Sequence, residues 1–229
     1  MLLRILIYQM VGLSMRQLLN VLAMTWLMGA LAHAGDPNSP HPHQGKLDGW
    51  TGAPPTITLS ADELTRLDQG SRIERHKKTS DGGSGIAVQY IEASPEIIWQ
   101  TILSYHRYKD WVKNVDACTV YQREGNDLYV DMQISVLGFK SGIYTKNTVR
   151  KDLGYMTWTL DYSRKSDVND LVGYWRVTPL EGWPGWSRLE YATEMVMSGV
   201  PGFIVRYMTK DALAEGTAWV KLRAEAAQR

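Results

Sequence analysis

The sequence predicts an α+β protein with a long antiparallel meander of strands followed by one long C-terminal helix. Most of the segment 117–197 alternates apolar and polar residues with the period of two that is typical of strands, and turn-forming segments separate the runs. Two short helical patterns precede this region, and the longest helical pattern, 201–226, follows it. Because the turns are short, strands that are neighbours in sequence are expected to pair antiparallel.

The segment 1–34 has the composition of a signal peptide. It contains no acidic residue and is dominated by Leu, Met, Ala and Val. A basic start at Met15, an apolar run over 18–31 and a small-x-small site at 32–34 match the pattern that signal peptidase cleaves. We therefore predict export to the periplasm or secretion after cleavage. The alternative is an anchor formed by the whole N-terminal apolar segment if translation starts at Met1.

The segment 35–58 is rich in Pro and Gly and is predicted to be a flexible arm. It carries His41 and His43 in a His-Pro-His sequence, which could bind a transition metal weakly. Two exposed histidines in a linker are the favoured interpretation, because no Cys or further His lies at ligand spacing. We therefore predict no metal site and no cofactor.

The folded domain is predicted to span 59–229 and to open with a helix. Ser60 and Glu63 form a capping box, which predicts a short helix that ends near Gln69. Two extended runs, 71–78 and 86–91, flank a turn-forming segment rich in Gly and Ser, and this arrangement predicts a hairpin.

Two short helices are predicted next, followed by the meander. Pro95 occupies a first helical turn, and Ile97, Ile98 and Ile102 repeat at helical spacing. A second short helix is predicted over 105–111. The strands predicted after it are 117–123, 128–137, 143–151, 156–162, 171–178 and 188–197.

The last predicted helix places small residues on its apolar face. The members of that face are Ile204, Val205, Met208, Ala212, Gly216 and Trp219. A glycine inside a helix costs about 1 kcal/mol relative to alanine, so its presence at 216 calls for a reason. Two explanations remain open. Gly216 can leave free space behind the helix, or it can allow the helix to cross closely over an aromatic residue of the sheet.

The charge balance and the cysteine content exclude several classes of function. The chain has 25 basic and 24 acidic residues, and removal of 1–34 takes away two arginines and no acid, which leaves 23 and 24. This balance lacks the basic field of a nucleic-acid-binding protein. The single cysteine, Cys118, has no partner for an intrachain disulfide and is interpreted as a small buried hydrophobe rather than a nucleophile.

Three segments resemble one known superfamily. They are Val88 to Trp99 (VQYIEASPEIIW), Leu103 to Trp111 (LSYHRYKDW) with Val115 after it, and Gly173 to Leu180 (GYWRVTPL). Their order and spacing are similar to those of the START-like (SRPBCC) superfamily, which includes the polyketide cyclase/dehydratase and coenzyme Q-binding protein families. The resemblance covers about residues 70–226. It implies a helix-grip fold, in which a curved antiparallel sheet wraps around the long C-terminal helix, with two short helices after the first strand and a cavity for an apolar ligand.

Candidate cavity residues lie on alternating strand positions, on the short helices and on the last helix. They are Trp99, Tyr105, Trp111, Val130, Met132, Ile134, Trp158, Trp175, Tyr191, Met208, Ala212, Gly216 and Trp219. Two turns with apolar tips are candidate gates that could touch a membrane transiently, with ordinary hairpin and helix-entry turns as the alternative. Their residues are Gly138, Phe139, Gly142 and Phe203.

The favoured function is an exported carrier or sensor that holds a lipid, an isoprenoid or a quinone-like molecule in this cavity. One alternative is a cyclase- or dehydratase-like enzyme acting on an apolar substrate in the same cavity. Its candidate acid–base residues are His106, Asp131, Asp161 and Glu215, each of which can also be explained as a surface or strand residue. The other alternative is an interaction module whose own side chains fill the cavity.

Overall fold

One antiparallel sheet of eight strands organises the domain. The computed structural model describes residues 35–136, 138–199 and 212–229, with side chains of the last helix described from residue 216 onward. The predicted signal peptide, Met208 and Phe203 therefore lie outside the described residues. The strands are β1 (Ile73–Lys78), β2 (Gly82–Ile91), β3 (Val115–Glu124), β4 (Asp127–Val136), β5 (Phe139–Arg150), β6 (Tyr155–Leu160), β7 (Asp170–Pro179) and β8 (Ser187–Val196).

The strand order confirms the predicted α+β fold class. It runs β1-β2-β8-β7-β6-β5-β4-β3, so β3 to β8 form a meander of sequence neighbours and β2 pairs with β8. All seven pairings are antiparallel. Short turns that contain glycine, such as those at Gly125 and Gly138 with φ values of 56° and 83°, join consecutive strands.

In the described part of the chain, four α-helices accompany the sheet, namely α1 (Ala61–Asp68), α2 (Pro95–Ile102), α3 (Tyr108–Trp111) and α4 (Ala212–Gln228). The predicted capping box begins α1: the Ser60 side chain accepts from the Glu63 amide, and the Glu63 carboxylate accepts from the Ser60 amide. The helix predicted over 105–111 is a 3₁₀ turn, Tyr105–Arg107, followed by α3. None of the described helices is long and apolar enough to cross a membrane.

Helix α4 lies over one face of the sheet, which we call the inner face. Polar contacts with β2 hold it there: Gln89 Nε2 donates to the Thr217 carbonyl oxygen at 2.7 Å, and Lys221 Nζ donates to the Tyr90 carbonyl oxygen at 2.8 Å. Val220 and Ala224 are fully buried in the main core cluster, the group of buried apolar side chains that includes Ile98, Leu160 and Leu189. These contacts place the residues before Val220, including Gly216 and Trp219, over the centre of the sheet.

Several residues of the segment 35–58, which is predicted to be a flexible arm, contact the sheet. It has no regular helix or strand, but it lies on the outer face of the sheet. The Trp50 ring meets the Tyr174 ring edge-on with centroids 4.9 Å apart, and the Tyr174 hydroxyl donates to the Pro55 carbonyl oxygen. Glu190, which is buried, accepts from the Ile57 amide at 3.2 Å. Composition alone predicts looseness because the partners of these groups lie more than 100 residues away in sequence.

The start of the arm is held in the same way. His41 is buried, and its Nδ1 accepts from the Ser166 amide while its Nε2 lies 2.8 Å from the Asn169 carbonyl oxygen, so the prediction of an exposed linker histidine is wrong for this residue. Asp170 accepts from the amides of Lys46 and Leu47. Within the described ranges, no three His, Cys, Asp or Glu side chains are grouped so that they could hold a metal ion.

Candidate functional site

A cavity of about 200 Å³ lies between the inner face of the sheet and α4. The segment that contains α3 closes one side of it. Its lining combines aromatic and aliphatic side chains with a few polar groups. The lining residues are Tyr105, Tyr108, Val112, Lys113, Val115, Cys118, Val130, Met132, Ile134, Ile143, Thr145, Asn147, Met156, Trp158, Leu171, Trp175, Tyr191, Thr193, Met195, Gly216 and Trp219.

Most of the predicted cavity residues line this space. Those that do are Tyr105, Val130, Met132, Ile134, Trp158, Trp175, Tyr191, Gly216 and Trp219. Trp99 does not, because α2 packs against α4 and buries this side chain in the main core cluster, where it is 2% exposed. Trp111 is half-buried beside the cavity, with the guanidinium carbons of Arg107 and Arg223 5.4 and 5.6 Å from its ring centre. The Ala212 side chain lies outside the described part of α4.

Aromatic rings form two opposing walls. On the sheet side, the Trp175 and Tyr191 ring centroids are 4.5 Å apart, and those of Trp158 and Tyr191 are 5.5 Å apart. On the helix side, the Tyr108 ring lies 4.9 Å from Trp219 and 5.3 Å from Tyr105. Such rings combine a large apolar surface with a polar tip, which suits the binding of a mostly apolar ligand.

Gly216 leaves space inside the cavity. Among the described residues, a Cβ placed at this position would meet no atom within 4 Å outside its own helix backbone. A close crossing over a sheet aromatic would have placed atoms nearer than that. The small residue at 216 therefore keeps free volume behind α4, which decides between the two explanations that the sequence left open.

Several lining residues were missed by sequence reasoning. Thr145 and Asn147 alternate with Ile143 on the inner face of β5, but polar residues in a strand are usually assigned to the solvent face. The period of two was the signal that could have found them. Both side chains are buried, and Asn147 Nδ2 donates to Thr145 Oγ1 at 2.9 Å.

The buried thiol and phenol groups of the lining are held in their neutral forms. Burial raises the pKa of Cys118 and of Tyr191 to about 12 each. Burial also raises the pKa of Tyr105 and, well above its ordinary range, that of Tyr108. At neutral pH these side chains therefore present a thiol and three phenol groups rather than charges.

The structure does not bring the candidate acid–base residues into the cavity. His106 is exposed on the 3₁₀ turn, and Asp131 points to the opposite face of β4 from Val130 and Met132. Asp161 is buried outside the cavity and accepts from the Tyr121 hydroxyl at 2.5 Å. The Glu215 side chain lies outside the described residues. Across the described lining there is no carboxylate and no imidazole.

The candidate gate in the β4–β5 connection is shorter than predicted. Gly138 occupies a turn with φ of 83°, and Phe139 is half-buried against the main core cluster. Gly142 lies in β5 rather than in the turn, where its amide donates to Asp167 Oδ2 at 2.7 Å. A Cβ at 142 would fall 2.7 Å from the Gly35 nitrogen, so this glycine allows a close approach of the arm. Phe203 lies outside the described residues.

Comparisons with known proteins agree with this architecture. The sequence profile of a family described as polyketide cyclase/dehydrase and lipid transport matches residues 91–216. No curated protein matches the chain.

Three solved structures share the fold. An aromatase/cyclase from Streptomyces sp. R1128 has a TM-score of 0.54 and 12% identity, with 69% of this chain and 97% of that chain covered. A START superfamily protein from Mycobacterium smegmatis has a TM-score of 0.50 and 15% identity, with coverage of 68% and 98%. A STAR-related lipid transfer protein from Xanthomonas axonopodis has a TM-score of 0.50 and 10% identity, with coverage of 69% and 94%. At such identities these likenesses establish the fold alone.

Proposed function

This chain belongs to the polyketide cyclase/dehydrase and lipid transport family, and from that premise we propose that it is an exported carrier or sensor of an apolar small molecule. The ligand is a lipid, an isoprenoid or a quinone-like compound held between the sheet and α4. The observation that carries this proposal is the cavity of about 200 Å³ with aromatic walls and open space at Gly216.

Desolvation provides the driving force for this binding. Apolar surface that leaves water gains about 25 cal/mol per Å², so a ligand that buries about 200 Å² gains roughly 5 kcal/mol before the cost of its lost freedom. The neutral forms of Tyr105, Tyr108 and Tyr191 add hydrogen-bonding groups without adding charge. A pocket of this kind selects its ligand by shape and by a small number of polar contacts.

The chemistry of the lining favours binding over catalysis. General acid–base catalysis needs a titratable group within hydrogen-bond reach of the reacting atoms. The described lining contains no carboxylate and no imidazole, and its one basic residue, Lys113, is exposed.

A cyclase-like enzyme is the second candidate, and the family description supports it. In that case Glu215→Gln would abolish turnover of an apolar polyketide-like substrate while its affinity is kept. A carrier would show no turnover before or after this substitution.

Export is supported by the composition of 1–34. If the segment is cleaved as proposed, N-terminal sequencing of protein from the periplasmic fraction will begin at Gly35. A mature protein that retains 1–34 in the membrane fraction would instead support the anchored form.

The decisive experiment is native mass spectrometry with solvent extraction on protein from a native-like host. The wild-type protein should carry a stoichiometric apolar molecule, and Gly216→Leu should lose it because leucine fills the open space. Gly52→Leu is the matched control, since Gly52 is an exposed arm residue at which an added Cβ would also meet none of the described atoms within 4 Å. An empty wild-type protein with no thermal shift across lipids and quinones would contradict the proposal.

A further inference from the structure

Two polar side chains, Tyr105 and Asn147, lie in a mostly apolar part of the cavity wall. Both are buried, at 6% and 5% exposure, and both line the free space. Cys118 and Val130 are buried beside Tyr105 in the same core cluster. Buried polar groups in such surroundings usually have strong hydrogen-bond partners.

The Tyr105 hydroxyl has a weak partner in the described residues. It donates to Met156 Sδ at 3.7 Å. A thioether sulfur is a weak acceptor, so this hydroxyl can donate more strongly to an oxygen atom that enters the cavity.

Asn147 offers the complementary group. Its Nδ2 donates to the Leu128 carbonyl oxygen at 3.3 Å and to Thr145 Oγ1 at 2.9 Å. Because a backbone carbonyl can only accept, the first bond fixes the orientation of the carboxamide. Both bonds use amide hydrogens, so the carbonyl oxygen of Asn147 is the part of the group that can accept from a ligand.

The sheet register places this donor and this acceptor in one corner. Asn147 pairs with Trp158, and Val149 pairs with Met156, so Asn147 and Met156 are diagonal neighbours on the inner face. Diagonal neighbours lie about 7–8 Å apart, which is close enough for long or aromatic side chains at these positions to interact. Tyr105, which contacts Met156, therefore faces the same corner as Asn147.

We propose that this corner binds one uncharged hydroxyl group of the ligand, which accepts from Tyr105 and donates to Asn147. The inference rests on the proposed function and specifies its ligand as an apolar alcohol or phenol. A ketone or quinone oxygen would accept from Tyr105 but would leave the Asn147 oxygen unpaired. A carboxylate would bring an unpaired charge into an apolar wall, which is costly.

Isothermal titration calorimetry on the full mature chain, after solvent extraction, tests this assignment with three probes of one shape. They are 2-naphthol, 2-methoxynaphthalene and naphthalene. We expect 2-naphthol to bind about tenfold more tightly than the other two, the gain typical of a buried hydrogen-bonded group. Tyr105→Phe should remove most of this preference and leave naphthalene binding unchanged. Asn147→Leu should do the same.

A matched control separates recognition from stability. Tyr121→Phe removes a hydroxyl that binds Asp161 outside the cavity, so it should keep the tenfold preference. Equal binding of the three probes to the wild type would overturn the inference and leave the proposed function standing. A preference that survives in Tyr105→Phe would overturn it as well. If none of the probes binds, the inference is overturned, and the native mass spectrometry experiment decides the proposed function separately.

Discussion

Trp158 on β6 lies directly across Gly173 on β7. The two residues pair in the sheet, and a Cβ at 173 would fall 2.2 Å from Cζ2 of the Trp158 indole. The indole therefore occupies the place where a side chain at 173 would begin. Trp158 also contacts Tyr191 in the sheet-side wall of the cavity. The absence of a side chain at Gly173 on β7 therefore determines where the Trp158 indole of β6 lies in that wall.

Gly173→Ala should destabilise the protein by about 2 kcal/mol, the typical cost of overpacking a buried site. Movement of the indole alone cannot relieve the strain, because the new Cβ would also lie 2.5 Å from the Ala192 carbonyl oxygen. Urea denaturation followed by circular dichroism measures the effect as a lower midpoint. An unchanged midpoint would show that Trp158 does not occupy this position in solution.

Gly216→Ala should have the opposite effect. A Cβ at 216 would meet no atom of the described side chains or strands within 4 Å, and alanine is favoured over glycine in a helix interior by about 1 kcal/mol. The same denaturation experiment should therefore give a higher midpoint than the wild type. A loss of stability would indicate that α4 packs more closely on the sheet than the free space at 216 implies.

The order of the strands could be predicted because its signals are local. The alternation of side chains and the turn residues, such as Gly125, depend only on the segment in which they occur. They predict β3 to β8 to within a few residues of the observed bounds. The cavity wall was predicted less fully. Asn147 has to be recognised as an inward-facing polar residue, and only its bonds to Thr145 and to the Leu128 carbonyl explain how it is tolerated there.

The packing of the arm could not be predicted because it depends on distant partners. The Ile57 amide is satisfied by Glu190, and the Lys46 amide is satisfied by Asp170. The prediction of a turn at Gly142 is wrong for the same reason, since the small size of this residue serves the approach of Gly35 from the arm. The composition of a segment predicts its conformation in isolation, but it does not predict which distant buried groups the segment contacts in the folded protein.

Trp50→Ala should loosen the arm without affecting the cavity. The Trp50 ring packs on Tyr174 on the outer face, and a ring pair of this kind contributes about 1 kcal/mol. Limited proteolysis should cleave the variant within 44–56 faster than the wild type, while binding of an apolar ligand is unchanged. Trp183→Ala is the matched control, because Trp183 is 54% exposed in the β7–β8 turn. Equal cleavage of both variants and the wild type would show that the ring contact does not hold the arm.

Asp170 should make the attachment of the arm sensitive to acid. Burial opposes its ionisation, but hydrogen bonds from the Leu47 and Lys46 amides and from the Tyr162 hydroxyl hold the pKa of Asp170 below its ordinary value of 3.8. A carboxyl group with a lowered pKa in the folded state stabilises that state above its unfolded pKa, and this contribution is lost as the pH falls below 3.8 through the folded-state value. Asp170→Asn should therefore be less stable than the wild type at pH 7, and the difference should shrink toward pH 3. The difference in unfolding free energy between the two proteins is measured by urea titrations from pH 7 to pH 3. If this difference stays constant down to the lowest pH, the ionised carboxylate of Asp170 is not the group that holds the arm.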